Sequence, residues 1–109
     1  MTTEEKIRWL AEQAGWLLPD PGVQHGYPPG GLDCVALPDY PHSLDAIARD
    51  LLPILREKGW DYSLSWDGYD HRFFVRPLAS PQSIGFGNGD SPAVAAMEAI
   101  FEALHGATE

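Results

Sequence analysis

Cysteine and positive charge are what this sequence has least of. Its 109 residues hold one cysteine, Cys34, so no disulfide can form within the chain and a structural zinc site would lack its thiolates. That usage fits a reducing compartment. Seven Lys and Arg stand against 16 Asp and Glu, a formal charge of -9. Direct nucleic-acid binding draws most of its strength from Lys and Arg meeting phosphates, so it is not expected here. No run approaches the roughly 20 apolar residues of a membrane span, and the acidic start Met-Thr-Thr-Glu-Glu-Lys is unlike a basic secretory leader. The expectation is a soluble intracellular protein without a membrane partner.

What is present is enough for a core. Hydrophobic residues make up 44% of the chain, and a domain of this size buries roughly 60 to 70% of the surface its unfolded chain exposes. One domain, residues 1–109, is expected. Thr2 and Glu5 form a capping box, and Ile7, Leu10, Ala11 and Ala14 share a face, which predicts a helix over 3–14 stopped by Gly15. Residues 15–41 form a Pro/Gly-rich arm, with Pro19, Pro21, Pro28, Pro29, Pro38 and Pro41 among its glycines. Its Trp16, Leu17, Leu18, Tyr27, Leu32, Val35, Leu37 and Tyr40 call for burial, and residues 32–37 suggest a short edge strand. Ser43 opens a helix over 44–58 with an apolar stripe at Leu44, Ile47, Ala48, Leu51 and Leu55. Pro53 predicts a kink in that helix, not a division of it.

After Gly59 the period becomes two. Trp60, Tyr62, Leu64 and Trp66 point to a core face, and Asp61, Ser63, Ser65 and Asp67 to a wet one. Asp67-Gly68 marks a turn, so 60–67 and 71–78 read as an antiparallel hairpin ended by Pro77, Ser80 and Pro81. A third short strand follows at 83–86, within a sheet region spanning 60–87. Ser91 and Pro92 then open a helix over 92–105, with Val94, Met97, Phe101 and Leu104 as its buried stripe. The fold class is α+β: a small antiparallel sheet packed with three helices as a layered sandwich.

The order of these landmarks resembles the phage ABA sandwich domain family. The residues carrying the resemblance are Ala14-Gly15-Trp16, Pro38-Asp39-Tyr40, Ser43-Leu44-Asp45-Ala46, Gly59-Trp60 and Gly89-Asp90-Ser91-Pro92-Ala93-Val94-Ala95-Ala96. The resemblance implies a layered α/β fold, a phage or prophage origin and hence the cytoplasm of a bacterial host. It brings no reaction, cofactor or catalytic residue. The polar face of the first hairpin strand argues against complete cover on both sides of the sheet, because each buried hydroxyl and carboxylate would need a partner.

Chemical constellations are weak. Gly85-Phe86-Gly87-Asn88-Gly89 lacks the Lys and Ser/Thr of a phosphate loop and reads as a strand-turn-helix joint. His25, His42, His71 and His105 are scattered, and a zinc set from His25, Cys34 and His42 is incomplete. Cys34 has no base near it to stabilise a thiolate and reads as a small buried group. Glu98 and Glu102 read as a solvated helix face, and Trp60 and Trp66 as core packing. No catalytic residue, metal or cofactor is assigned.

The expectation is a non-enzymatic phage or prophage accessory protein that binds an unknown protein partner, for which a basic host protein fits the charge. Candidate interaction residues are Trp16, Tyr27, Tyr40, Asp67, Tyr69 and Asp70. The segments 9–48 and 77–109 contain no Lys or Arg, which suits an acidic nucleic-acid mimic that inhibits a host defence or DNA-binding protein. A small-ligand binder would use an aromatic pocket lined by residues such as Trp16, Tyr27 or Tyr40. The chain is read as a monomer or a small homo-oligomer, and an exposed aromatic sheet edge would signal self-association.

Overall fold

The computed structural model describes residues 2–20, 22–80 and 82–107. The expected parts of Pro21 in the arm and Pro81 at the strand end lie outside them. The fold is α+β, and the chain divides into two compact units, Met1–Asp39 and Tyr40–Glu109.

In the first unit, α1 (Thr3–Gln13) starts as the sequence predicts. The Glu5 amide donates to Thr2 Oγ1 at 3.1 Å and the Thr2 amide to Glu5 Oε1 at 3.2 Å, a complete capping box. These bonds with Thr2, the backbone one first, hold the Glu5 carboxyl below its usual range. The helix ends where Gly15 takes φ +98°. The Gly15 amide then donates to the Glu12 carbonyl and the Trp16 amide to that of Ala11, a Schellman motif that only a left-handed residue closes comfortably. In the arm, β1 (His25–Gly26) pairs antiparallel with β2 (Val35–Ala36). The arm is less buried than its apolar content suggests. Trp16 and Leu37 are buried, whereas Leu17, Leu32 and Cys34 are exposed. Cys34 is therefore not the buried group expected from its surroundings.

The second unit opens with a single 3-10 turn at Tyr40–His42. Ser43 Oγ accepts the Ala46 amide at 3.1 Å and caps α2 (Leu44–Asp50). The helix expected to kink is instead interrupted at Leu51, and α3 (Leu52–Glu57) begins one residue later. The reason is the missing Pro53 amide. Breaking the helix at Leu51 moves Pro53 into a first turn, where amides have no intrahelical acceptor and the loss is harmless. Gly59, at φ +73°, turns the chain out of α3.

A three-stranded antiparallel sheet follows, β3 (Trp60–Trp66), β4 (His71–Pro77) and β5 (Gly85–Gly89), in that spatial order. The last strand lies slightly later than the expected 83–86. Helix α4 (Pro92–Ala107), capped by Ser91 Oγ on the Val94 amide, packs on β5 and β4.

The contact between α4 and β5 is backbone to backbone. A Cβ on Gly87 would lie 2.2 Å from the Ala95 carbonyl, and one on Gly85 would lie 2.2 Å from the Ala99 carbonyl. At Gly89 the close neighbour is instead the Val94 side chain, whose Cγ1 would lie 2.6 Å from an added Cβ. The helix answers with Ala95, Ala99 and Ala103, four residues apart and buried, a stripe the sequence reading missed in favour of Val94 and Phe101.

The sheet face under α4 widens away from this contact. Register places Gly87, Phe73 and Leu64 in one row, Gly85, Val75 and Tyr62 in the next. Side chains are absent where the helix is close and large where it is farther away. The opposite face carries Ser63, Ser65 and the Phe74–Phe86 pair, with ring centroids 5.1 Å apart, and an ion pair of Arg76 with Asp61 at 3.6 Å.

Gly87→Ala is expected to destabilise the protein by at least about 1–3 kcal/mol, the usual cost of overpacking, because the atoms it meets are backbone. Gly106→Ala, in the last turn of α4 with nothing within 4 Å of its Cβ, is expected to be neutral or to stabilise by up to about 1 kcal/mol. Urea unfolding midpoints of the two variants check this.

Candidate functional site

The expected aromatic site residues differ in burial. Trp16 is buried, Tyr27 is half-buried, and Tyr40 is fully buried. The Tyr40 hydroxyl donates to Asp50 Oδ2 at 2.9 Å, and Arg49 Nε reaches Asp50 Oδ1 at 2.7 Å. Burial first, and then the Asp50 charge, push the Tyr40 phenol far above its ordinary range. It is a structural donor, not a ligand-binding ring.

Asp67, Tyr69 and Asp70 do share a locale, the hairpin loop. Asp67 Oδ1 accepts the Tyr69 and Asp70 amides, both at 2.9 Å, and Asp67 Oδ2 lies 2.6 Å from Arg72. Those amide bonds, from Asp70 first, hold the Asp67 carboxyl below its usual value, with Arg72 adding to the effect. With its acceptor capacity spent on its own turn, Asp67 shapes the loop and leaves Tyr69, 88% exposed, at the tip. Among the described residues no group of three His, Cys, Asp or Glu side chains could hold a metal ion.

The feature that sequence reasoning missed is the outer edge of β3. Its apolar row faces the helix side as expected, since Tyr62 stacks on Phe73 at 5.6 Å. Its far half is nevertheless not core. Leu64 is 46% and Trp66 59% exposed, while Trp60 is half-buried. Trp66 leans on His71 at 4.7 Å, and the Lys58 ammonium lies 5.4 Å from the Trp60 ring centre. Between this strand and α2 lies an open apolar groove of about 310 Å³, lined by Leu44, Ile47, Leu52, Leu64 and Phe73 among others.

The backbone of the edge is available as well. The Leu78 amide donates to the Gly59 carbonyl, and an antiparallel ladder alternates from that point. In the observed register the groups of Asp61, Ser63 and Ser65 therefore face β4, and those of Trp60, Tyr62, Leu64 and Trp66 face outward. The Tyr62 amide is bonded by its neighbour's carboxylate, Asp61 Oδ1, at 2.8 Å. Among the described residues no strand pairs with this edge. The other edge is shorter, and there Glu102 Oε2 accepts the Phe86 amide at 3.3 Å.

The fold and this edge define a small α+β protein whose sheet is open to a further strand. No family model matches the chain, and no curated protein or solved structure is similar to it. No helix among the described residues is long and apolar enough to cross a membrane.

The depressed Asp67 carboxyl has a pH consequence. A lowered folded-state value stabilises the loop above the unfolded carboxyl range, near pH 3.9, and that contribution is lost as pH falls through the folded value. The Tyr69 and Asp70 amide resonances are expected to titrate together with a midpoint below about 3.9, and Asp67→Ala to abolish that titration. NMR spectra across an acid series check it.

Proposed function

We propose that this protein is a non-enzymatic protein-binding module that takes up an extended segment by strand addition on β3. The observation that carries the reading is the coincidence of outward-facing backbone on β3 with the apolar groove between β3 and α2. In strand addition the main chain gives affinity and alternate side chains filling pockets give specificity. The segment suited to this edge is apolar at every second position, so that its side chains reach the groove beside Leu44 and Leu64. With the chain at -9 overall, a segment bordered by basic residues is favoured.

The resemblance of the sequence landmarks to the phage ABA sandwich family supports a phage or prophage accessory role in a bacterial cytoplasm, with a basic host protein among the fitting partners. The base-free stretches 9–48 and 77–109 support a second reading, an acidic mimic that occupies a DNA-binding protein. A small-ligand role is less well supported, because Trp16 and Tyr40 are buried.

Selection from a random peptide library on the intact chain tests strand addition. Ligands with alternating apolar residues are expected, and Leu64→Pro is expected to weaken them at least about tenfold, or 1.4 kcal/mol. That proline removes an amide that β4 does not use, so the hairpin ladder survives. Ligands without alternation, or binding indifferent to Leu64→Pro in a folded variant, would contradict the reading.

A further inference from the structure

We infer that the segment β3 receives is β3 of a second copy of this chain, paired antiparallel about a two-fold axis at Ser63 to give one continuous six-stranded sheet. This rests on the strand-addition reading and names its occupant. Parity fixes the position of the axis. Only outward-facing groups can bond across the new seam, and the outward residues are Trp60, Tyr62, Leu64 and Trp66. A two-fold axis at Ser63 sets Trp60 opposite the second copy's Trp66, and Tyr62 opposite its Leu64. All of the outward residues then find partners, whereas an axis at Tyr62 or Leu64 leaves a tryptophan over.

The side chains of β3 are also self-complementary. An isologous interface must match its own pattern in reverse. The apolar row of β3, aromatic at both ends, does so, pairing Trp with Trp and Tyr with Leu on the groove side. On the other face Ser63 meets Ser63 and Asp61 meets Ser65, so no like charges stand directly opposite. Most of the usual guards against edge pairing are missing, since β3 contains no Pro, Lys or Arg. Its one guard, the Asp61 carboxylate on the Tyr62 amide, can be released, because Arg76 is 3.6 Å away to receive it.

Charge along the seam is complementary as well. The edge favours a segment that is apolar in alternation and bordered by basic residues, and β3 has Arg56 and Lys58 on its N-terminal side. The same register sets Lys58 opposite Gly68 of the second copy, beside its Asp67 and Asp70. Arg72 already holds Asp67 at 2.6 Å, and Glu57 and Asp61 lie near the basic end. The acidic loop at one end of the strand still meets the ammonium at the other. The excess negative charge of each copy opposes association most at low salt and is screened over about 8–10 Å at physiological ionic strength.

Disulfide trapping with sedimentation tests this on the full chain. In the proposed register residues 63 of the two copies are a directly opposed, non-hydrogen-bonded pair with closely spaced Cβ atoms, which a disulfide can bridge. Residues 65 are about 13 Å apart along the strands, at roughly 3.3 Å per residue. Cys34 is exposed and is replaced by serine in both variants. Ser63 and Ser65 are exposed on the wet face, so both variants should fold.

The expected results are concentration-dependent dimerisation of the native chain and efficient cross-linking of Ser63→Cys/Cys34→Ser but not of Ser65→Cys/Cys34→Ser. Equal cross-linking of the two variants, or a monomer throughout the micromolar range, overturns the inference. A monomer that still selects alternating peptides overturns only the second copy as occupant. A monomer that selects none removes strand addition as well.

Discussion

The architecture of residues 40–109 depends on the direct seating of α4 on the backbone of β5. Gly85 and Gly87 bring the strand against the carbonyls of Ala99 and Ala95, and Ala95, Ala99 and Ala103 let the helix approach to that distance. Burial is efficient there without any large side chain, but it fixes the helix over one side of the sheet. The rows then grade from glycine on β5 through Phe73 and Val75 on β4 to Leu64 and Tyr62 on β3. The far strand must fill its space with bulk, and its end carries a tryptophan that the helices do not cover. An open apolar edge is thus a consequence of where the helix sits.

The two edges of the sheet are handled differently. On β5 the outward Phe86 amide is taken by Glu102 from α4, which is itself anchored against that strand. On β3 the outward Tyr62 amide is taken only by the adjacent Asp61, a contact that a side-chain rotation can undo. A carboxylate reaching over from the packed helix covers the Phe86 amide on one edge, and a carboxylate from the strand's own neighbouring residue, with Arg76 as a second partner, leaves the other convertible. This asymmetry, with the groove beside α2, is the physical content of the binding reading.

Helix starts were legible because caps are local chemistry: Thr2 with Glu5, Ser43, and Ser91 before Pro92 all act within a single turn. The alternation of β3 likewise revealed its strand and its inward row. Exposure was not legible, because it depends on how far α4 reaches across the sheet, a tertiary fact that leaves Trp66 and Leu64 half outside. The later part of β5, Gly87 to Gly89, read as the turn of a strand-turn-helix joint beyond a strand at 83–86, because a strand packed through its backbone has no hydrophobic signature. Pro53 read as a kink because a one-residue break at Leu51 keeps the same apolar stripe. Of the anticipated interaction residues, Asp67, Tyr69 and Asp70 do share one loop, while Trp16 and Tyr40 belong to buried interiors. The real edge had one sequence signal, a seven-residue strand ending in tryptophan with no Pro, Lys or Arg to guard it.

Residue-resolved hydrogen exchange on the native chain, followed as it is diluted, tests the central claim that the outer edge of β3 is open and is closed by association. The account predicts that at high dilution the Leu64 and Trp66 amides exchange quickly while Ser63 and Ser65, bonded into the ladder with β4, remain protected. As concentration rises, Leu64 and Trp66 should acquire protection. Slow exchange at Leu64 and Trp66 at every dilution would show that the edge is already closed within the single chain and would contradict the account.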